Sequence, residues 1–187
     1  MNYPAGVSAA RQRAARAGFE HSCDDGTGRL LAVLAAAVPE GGRILEIGTG
    51  VGMGCAWMVH GLGSRMDVEL VTVEFDASSA AIAAGGAWPT YVQLICGDIN
   101  ELIPTLGTFD LIFPDAPAGK WTGLDRTISS LRPRGVLVVD DLIPKPDQPE
   151  EWNRYLARTQ EKLLSHPDLV TVEIADLTGV IVAAKLA

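Results

Sequence analysis

The sequence predicts an α/β fold built on one mostly parallel β-sheet that ends in an antiparallel hairpin. Through the middle of the chain, short runs rich in Val, Ile and Leu alternate with longer amphipathic stretches, the pattern of strands separated by crossover helices. At the end this alternation breaks, because the last two apolar runs are separated only by Asp176-Leu-Thr-Gly179, a spacing that reads as a hairpin. A length of 187 residues suits one domain with a full core. Residues 1–187 are therefore expected to form a single domain, with N-terminal helices over 1–40 and the sheet-bearing core over 41–187.

Taken in order, helices are expected at about 6–17 and 27–38, ahead of a first strand at Arg43–Ile47. The glycines at 48, 50, 52 and 54 then allow a tight turn, and the apolar run Cys55-Ala-Trp-Met-Val59 reads as a helix, Gly52–His60, packing back on the sheet. Further strands are expected at Val68–Glu74, Tyr91–Cys96, Phe109–Phe113 and Gly135–Asp140, each apolar enough to be buried on both faces. Helices at Ala77–Ala84, Leu124–Leu131 and Glu150–Ser165 and a short one between 97 and 108 connect them. Three prolines hold Ile143–Pro149 extended as a surface loop near the strand ends. Leu169–Ala175 and Val180–Lys185 form the hairpin.

Composition narrows the function classes. Hydrophobic residues make up 48% of the chain, yet no apolar run approaches the roughly 20 residues of a membrane span. The first residues have neither a basic start nor an apolar core, so no secretory signal is read and the expected location is the cytoplasm. A formal charge of −8 and a pI near 4.8 disfavour the broad phosphate-binding surface of a nucleic-acid protein. Arg11, Arg13 and Arg16 cluster in the first helix, where a solvated face accounts for them. Cys23, Cys55 and Cys96 match no zinc or redox spacing and are expected to be reduced, with Cys55 and Cys96 in the core. His21, His60 and His166 are scattered without ligand spacing, leaving His21, just before the second helix, as a candidate base.

The residues that carry chemistry fall at the ends of strands. Glycines spaced G-x-G-x-x-G would mark a dinucleotide site, but the third position is Met53 counting from Gly48 and Cys55 counting from Gly50. Glu74 ends the second strand beside the glycine turn, where a carboxylate can accept both hydrogen bonds of a ribose diol, in NAD or S-adenosylmethionine alike. Asp98 follows the third strand at the same edge and is suited to accept from an adenine amino group. Asp115 ends the fourth strand, and Asp140 and Asp141 end the fifth. Carboxylates crowded in this way either share a proton or bind a cation.

In order along the chain, Glu46-Ile-Gly-Thr-Gly-Val-Gly52, Val73-Glu-Phe75, Gly97-Asp-Ile99, Phe109-Asp-Leu-Ile-Phe-Pro-Asp115 and Gly135-Val-Leu-Val-Val-Asp-Asp141 resemble the class I S-adenosylmethionine-dependent methyltransferases. The chain is most similar to their small O-methyltransferase branch, which includes catechol and caffeoyl-CoA methyltransferases. The resemblance covers roughly residues 20–187. It implies a three-layer Rossmann-like methyltransferase fold with a seven-stranded sheet, and a small hydroxyl-bearing acceptor. It also implies a cofactor site of Glu46, Gly48, Thr49, Gly50, Gly52, Glu74, Phe75, Asp98, Ile99 and Asp115, in which Glu46, Gly48 and Gly50 line the methionine part, Glu74 holds the ribose and Asp98 with Ile99 flanks the adenine. S-adenosylmethionine carries no phosphate, which agrees with a glycine turn that has no Walker-type lysine.

The resemblance further implies a divalent metal such as magnesium, held by Asp115, Asp140 and Asp141, and a homodimer through the N-terminal helices. Two departures stand out. The family pair after the fifth strand is Asp-Asn where this chain has Asp140-Asp141, and the catalytic lysine position three residues beyond Asp115 is Ala118. Lys120 can reach the same space as base or anion anchor; otherwise proximity, with Asp115 or Asp140 as base, carries the reaction. Trp121 and Trp152 are placed to wall an aromatic acceptor. The alternatives are an NAD(P)-dependent oxidoreductase and a non-catalytic protein that binds S-adenosylmethionine. Methylation of nucleic-acid amino groups would call for Asp/Asn-Pro-Pro-aromatic after the fourth strand, where this chain has Pro114-Asp-Ala-Pro117.

Overall fold

A computed structural model describes residues 2–146, 148–175 and 177–186. Asp147 of the proline-rich loop and Asp176 of the hairpin turn lie outside the described residues. The element order is α1 (Ala5–Ala17), α2 (Asp25–Ala37), β1 (Arg43–Ile47), α3 (Met53–Leu62), β2 (Glu69–Glu74), α4 (Ala77–Ala84), β3 (Val92–Cys96) and α5 (Ile99–Leu106). There follow β4 (Phe109–Pro114), the short turn α6 (Pro117–Lys120), α7 (Leu124–Ser129), β5 (Leu131–Val139), α8 (Glu150–Ser165), β6 (Leu169–Ile174) and β7 (Val180–Lys185). No helix of the described residues is long and apolar enough to cross a membrane.

The seven strands form one sheet in the order β3-β2-β1-β4-β5-β7-β6. All pairs are parallel except β5 with β7 and β7 with β6, so the expected closing hairpin is present. Strand order reverses between β1 and β4, which opens a crevice beyond their C-terminal ends, the place where open α/β sheets bind ligands.

Alternation along the strands divides the core. Leu45, Ile47, Val71, Val73, Ile112, Leu137 and Val139 pack on one face with Ile103, Ile128 and Leu163 of α5, α7 and α8. Ile44, Leu70, Leu111, Phe113 and Val138 pack on the other with Leu31, Met58 and Leu62 of α2 and α3. Trp57, 2% exposed, joins α3 to Val7 and Ala10 of α1, which seats the N-terminal helices on this second layer.

Several expectations are corrected. β3 is an edge strand with no fully buried residue, so it is not buried on both faces, and Cys96 is exposed rather than in the core; Cys55 is buried as expected. Leu131, read as the end of a helix, begins β5, which starts four residues before Gly135 and meets β4 through an irregular register. The tight turn Pro117–Lys120 was not read from the sequence at all.

Candidate active site

The glycine turn leaves β1 at the strand-order reversal, directly beside the end of β4. The Asp115 N–H donates to the Ile47 carbonyl at 2.7 Å, and Gly48 N–H donates to the Val73 carbonyl at 2.8 Å, so three strand ends are tied together at this point. Gly48 has φ 94°, and a Cβ there would come within 2.9 Å of the Asp115 carbonyl oxygen, so both conformation and space require glycine. Gly54 answers to a different neighbour: a Cβ there would collide with the Glu46 carboxylate.

Glu46 itself does not border a cleft. Alternation turns it to the α3 side of the sheet, where it is 1% exposed and lies in register with Thr72. Thr72 Oγ1 donates to Glu46 Oε2 at 2.5 Å, and Thr72 Oγ1 is also 2.5 Å from Thr49 Oγ1, forming a buried chain under the turn. Burial pushes the Glu46 carboxyl up to about 8, against the hydrogen bonds from Thr72 and the Cys55 backbone. Thr49 thus faces inward, and Gly52 packs toward Trp88 and Arg13. The structure thereby places Glu46, Thr49 and Gly52 in the support of the turn, away from the residues that line the crevice.

The crevice is a cleft of about 460 Å³ bordered by Gly48, Gly50, Glu74, Phe75, Asp98, Ile99 and Asp115. Glu74 holds its rim rigidly: Oε2 accepts from Gly50 N–H at 2.7 Å and Oε1 from Asp76 N–H at 2.8 Å, and each oxygen keeps a further lone pair. Asp98 caps α5 by accepting from Asn100 N–H at 2.8 Å while its side chain borders the cleft. Phe75 is 76% exposed, the condition of a flat ring with no protein partner over it. His21, the candidate base, also lines this cleft, as do Phe19 and Asn100, which were not read as site residues; Phe19 and His21 arrive from the α1–α2 connection.

A second cleft, about 390 Å³, opens on the other side of Asp115 and is bordered by His21, Cys23, Lys120, Trp121, Asp140, Asp141, Lys145 and Trp152. Trp121 stacks on Tyr155 with ring centroids 5.5 Å apart and meets Trp152 edge-on at 5.1 Å, making an aromatic wall from α8 and the α6 turn. Three acids border the same cleft. One carboxylate oxygen from each of Asp115, Asp140 and Asp141 lies within 4.8 Å of the others. Asp141 takes a left-handed conformation, φ 54°, which breaks strand alternation and lets consecutive aspartates face one centre.

Lys120 reaches into this group of acids. It is 4% exposed, and its Nζ donates to the Asp140 carbonyl at 3.1 Å and to Asp140 Oδ1 at 3.4 Å. Its backbone is held by two buried threonines, Thr127 donating to the Gly119 carbonyl at 2.9 Å and Thr159 to the Lys120 carbonyl at 3.3 Å. Burial, then the Asp140 charge, drives the Asp115 carboxyl well above the usual carboxylate range. Burial also raises Asp140, with the Lys120 ammonium opposing it. Such a group of facing acids beside a cleft is suited to hold a proton from a substrate hydroxyl.

Comparison with known proteins places these features in a family. A family model described as a methyltransferase domain matches residues 45–142, from β1 to just beyond Asp141. A Mycobacterium sp. (strain JLS) protein that carries an O-methyltransferase name is 33% identical over 141 residues, 71% of this chain and 62% of the relative. A catechol O-methyltransferase of Mycobacterium tuberculosis is 35% identical over 125 residues, 62% of this chain and 54% of the relative. The match thus spans less than two thirds of these relatives' lengths. The crystal structure of the O-methyltransferase TomG from Streptomyces achromogenes, in complex with SAM, superposes with a TM-score of 0.80 at 27% identity, covering 100% of this chain and 92% of that one. A Corynebacterium glutamicum structure with a TM-score of 0.84 at 21% identity shares the fold. On the matched family model and the sheet order that frames both clefts, the chain belongs to the methyltransferase-domain family.

Proposed function

We propose that this chain is an S-adenosylmethionine-dependent O-methyltransferase acting on a hydroxyl of a small, aromatic acceptor. The observation that carries the reading is the position of Asp115, which borders both clefts at the sheet's strand-order reversal. The first cleft suits the cofactor: glycines admit close approach, Glu74 offers free lone pairs for a ribose diol, exposed Phe75 and the largely buried Ile99 offer apolar faces for adenine, and no Lys or Arg among the described residues borders it. S-adenosylmethionine, when bound, supplies an already activated methyl group. The second cleft suits the acceptor, with Trp121, Trp152 and the three acids bordering it. The O-methyltransferase names of the relatives support the same assignment.

In this reading the residues act mainly by placement. Trp121 and Trp152 orient an aromatic ring so that its hydroxyl meets the Asp115 side of the cleft. Asp115 or Asp140 takes the hydroxyl proton, burial raising each carboxyl and so making its carboxylate a stronger base than an ordinary one. Lys120, fixed against Asp140, keeps that acid oriented and tempers its charge. The divalent ion implied by the resemblance fits the oxygen donors in kind but not in their present partners. Two of the three acids, Asp140 and Asp141, are each already paired with a lysine. No step is therefore routed through a metal.

Calorimetry with S-adenosylmethionine and with NAD(P)H, followed by a phenol and catechol methylation assay, tests the proposal. Binding of the methyl donor and transfer to a phenolic oxygen are expected. Nicotinamide binding without methyl-donor binding sinks the proposal; donor binding with no transfer across the panel leaves a binding protein instead of an enzyme.

A further inference from the structure

The acidic wall of the second cleft carries its own cations. Lys120 Nζ lies 3.4 Å from Asp140 Oδ1 with both side chains buried, 4% and 2% exposed, and Lys145 Nζ lies 3.5 Å from Asp141 Oδ1 near the surface. Three facing carboxylates and two lysines leave one formal negative charge. Asp115, the acid without a lysine among these pairs, borders the first cleft as well and so faces the side on which a sulfonium would lie.

We infer that Lys120, assisted by Lys145, is the tethered counter-ion of the Asp115–Asp140–Asp141 cluster and occupies the role of a divalent metal ion, which it keeps out by competing for Asp140. A cation on a fixed stem loses little freedom when it pairs, and this stem is fixed: Thr127 and Thr159 hold the carbonyls of Gly119 and Lys120. An ion bridging the three carboxylates would have to sit beside a buried ammonium or displace it from its only described acceptors, both on Asp140. Like charges at that range repel strongly where water is scarce.

The inference rests on the proposed function only in assigning the sulfonium to the Asp115 side; cation binding is read without turnover, and S-adenosylmethionine calorimetry in metal-free buffer reports on the function separately. Mn²⁺ binding is followed by paramagnetic resonance in the wild-type chain, Lys120→Met and Lys145→Gln. Wild type is expected to bind no tighter than roughly millimolar, the range of weak carboxylate sites. Lys120→Met is expected to tighten binding about tenfold or more, and Lys145→Gln, whose lysine is more exposed and cannot endanger the core, by a smaller factor. A micromolar one-to-one site in wild type overturns the inference, as does weak binding that neither substitution tightens. If Lys120→Met does not fold, the wild-type titration and Lys145→Gln decide it.

Discussion

Replacing Glu74 tests the cofactor cleft at its most informative point. The carboxylate accepts from Gly50 N–H at 2.7 Å and Asp76 N–H at 2.8 Å, so it is already aimed and needs no ordering when a ribose diol arrives. Hydrogen bonds to a charged group contribute about 1.5–3 kcal/mol each, but water takes over part of the diol's bonding when the side chain is gone. Glu74→Ala should therefore cost about 1–3 kcal/mol of S-adenosylmethionine binding, roughly a five- to 150-fold rise in Kd. Calorimetry gives the Kd, and a thermal melt shows that the variant is folded. Loss of the hold on Gly50 would also weaken binding, so a cofactor analogue without the ribose hydroxyls separates the two effects. It should bind wild type and variant alike if the diol contact dominates. Unchanged S-adenosylmethionine affinity in a folded Glu74→Ala protein would refute the ribose role.

Two further outcomes test the framework beneath the site. Glu46 holds its proton in the folded state up to about pH 8 but releases it near its ordinary 4.5 when unfolded, so stability should fall as pH rises between those values and level off above them. The full span corresponds to about 5 kcal/mol as an upper figure. Urea unfolding across this range should show the decline in wild type and a flatter profile in Glu46→Gln; parallel profiles would remove Glu46 as the source. At Gly61, where α3 crosses α2, a Cβ would collide with the Ala32 backbone carbonyl, which no rotamer change relieves. Gly61→Ala should lose about 1–3 kcal/mol or more of stability, and a melt unchanged from wild type would show that the two helices separate freely.

Much of this was legible because its causes are local. Short, near-continuous apolar runs such as Leu70–Val73 and Leu111–Phe113 announce buried strands wherever they are placed, and Gly48 and Gly50 announce a turn before any partner is known. Acids at or just beyond the ends of such strands, Glu74, Asp98, Asp115 and Asp140, must gather at one edge once the strands run parallel. By the same logic the four-residue separation near 176–179 announced the hairpin.

What the sequence did not carry was who meets whom. Glu46 and the glycine turn are adjacent in sequence, which suggests a shared ligand. Register with Thr72 instead sends the carboxylate beneath the turn, on the opposite side from the cleft. β3 has the composition of a buried strand, but only the sheet order made it an edge and exposed Cys96. Lys120 and Asp140 lie 20 residues apart, and nothing local predicts a buried ion pair between them. That contact depends on β4 and β5 pairing and on threonines from α7 and α8 fixing the turn, relations set by packing across the fold. The sequence by itself determined the elements and the acids at their ends; the tertiary structure decided which acids face a cleft, which are buried and which already have a cation, because burial and pairing depend on neighbours that chain order does not name.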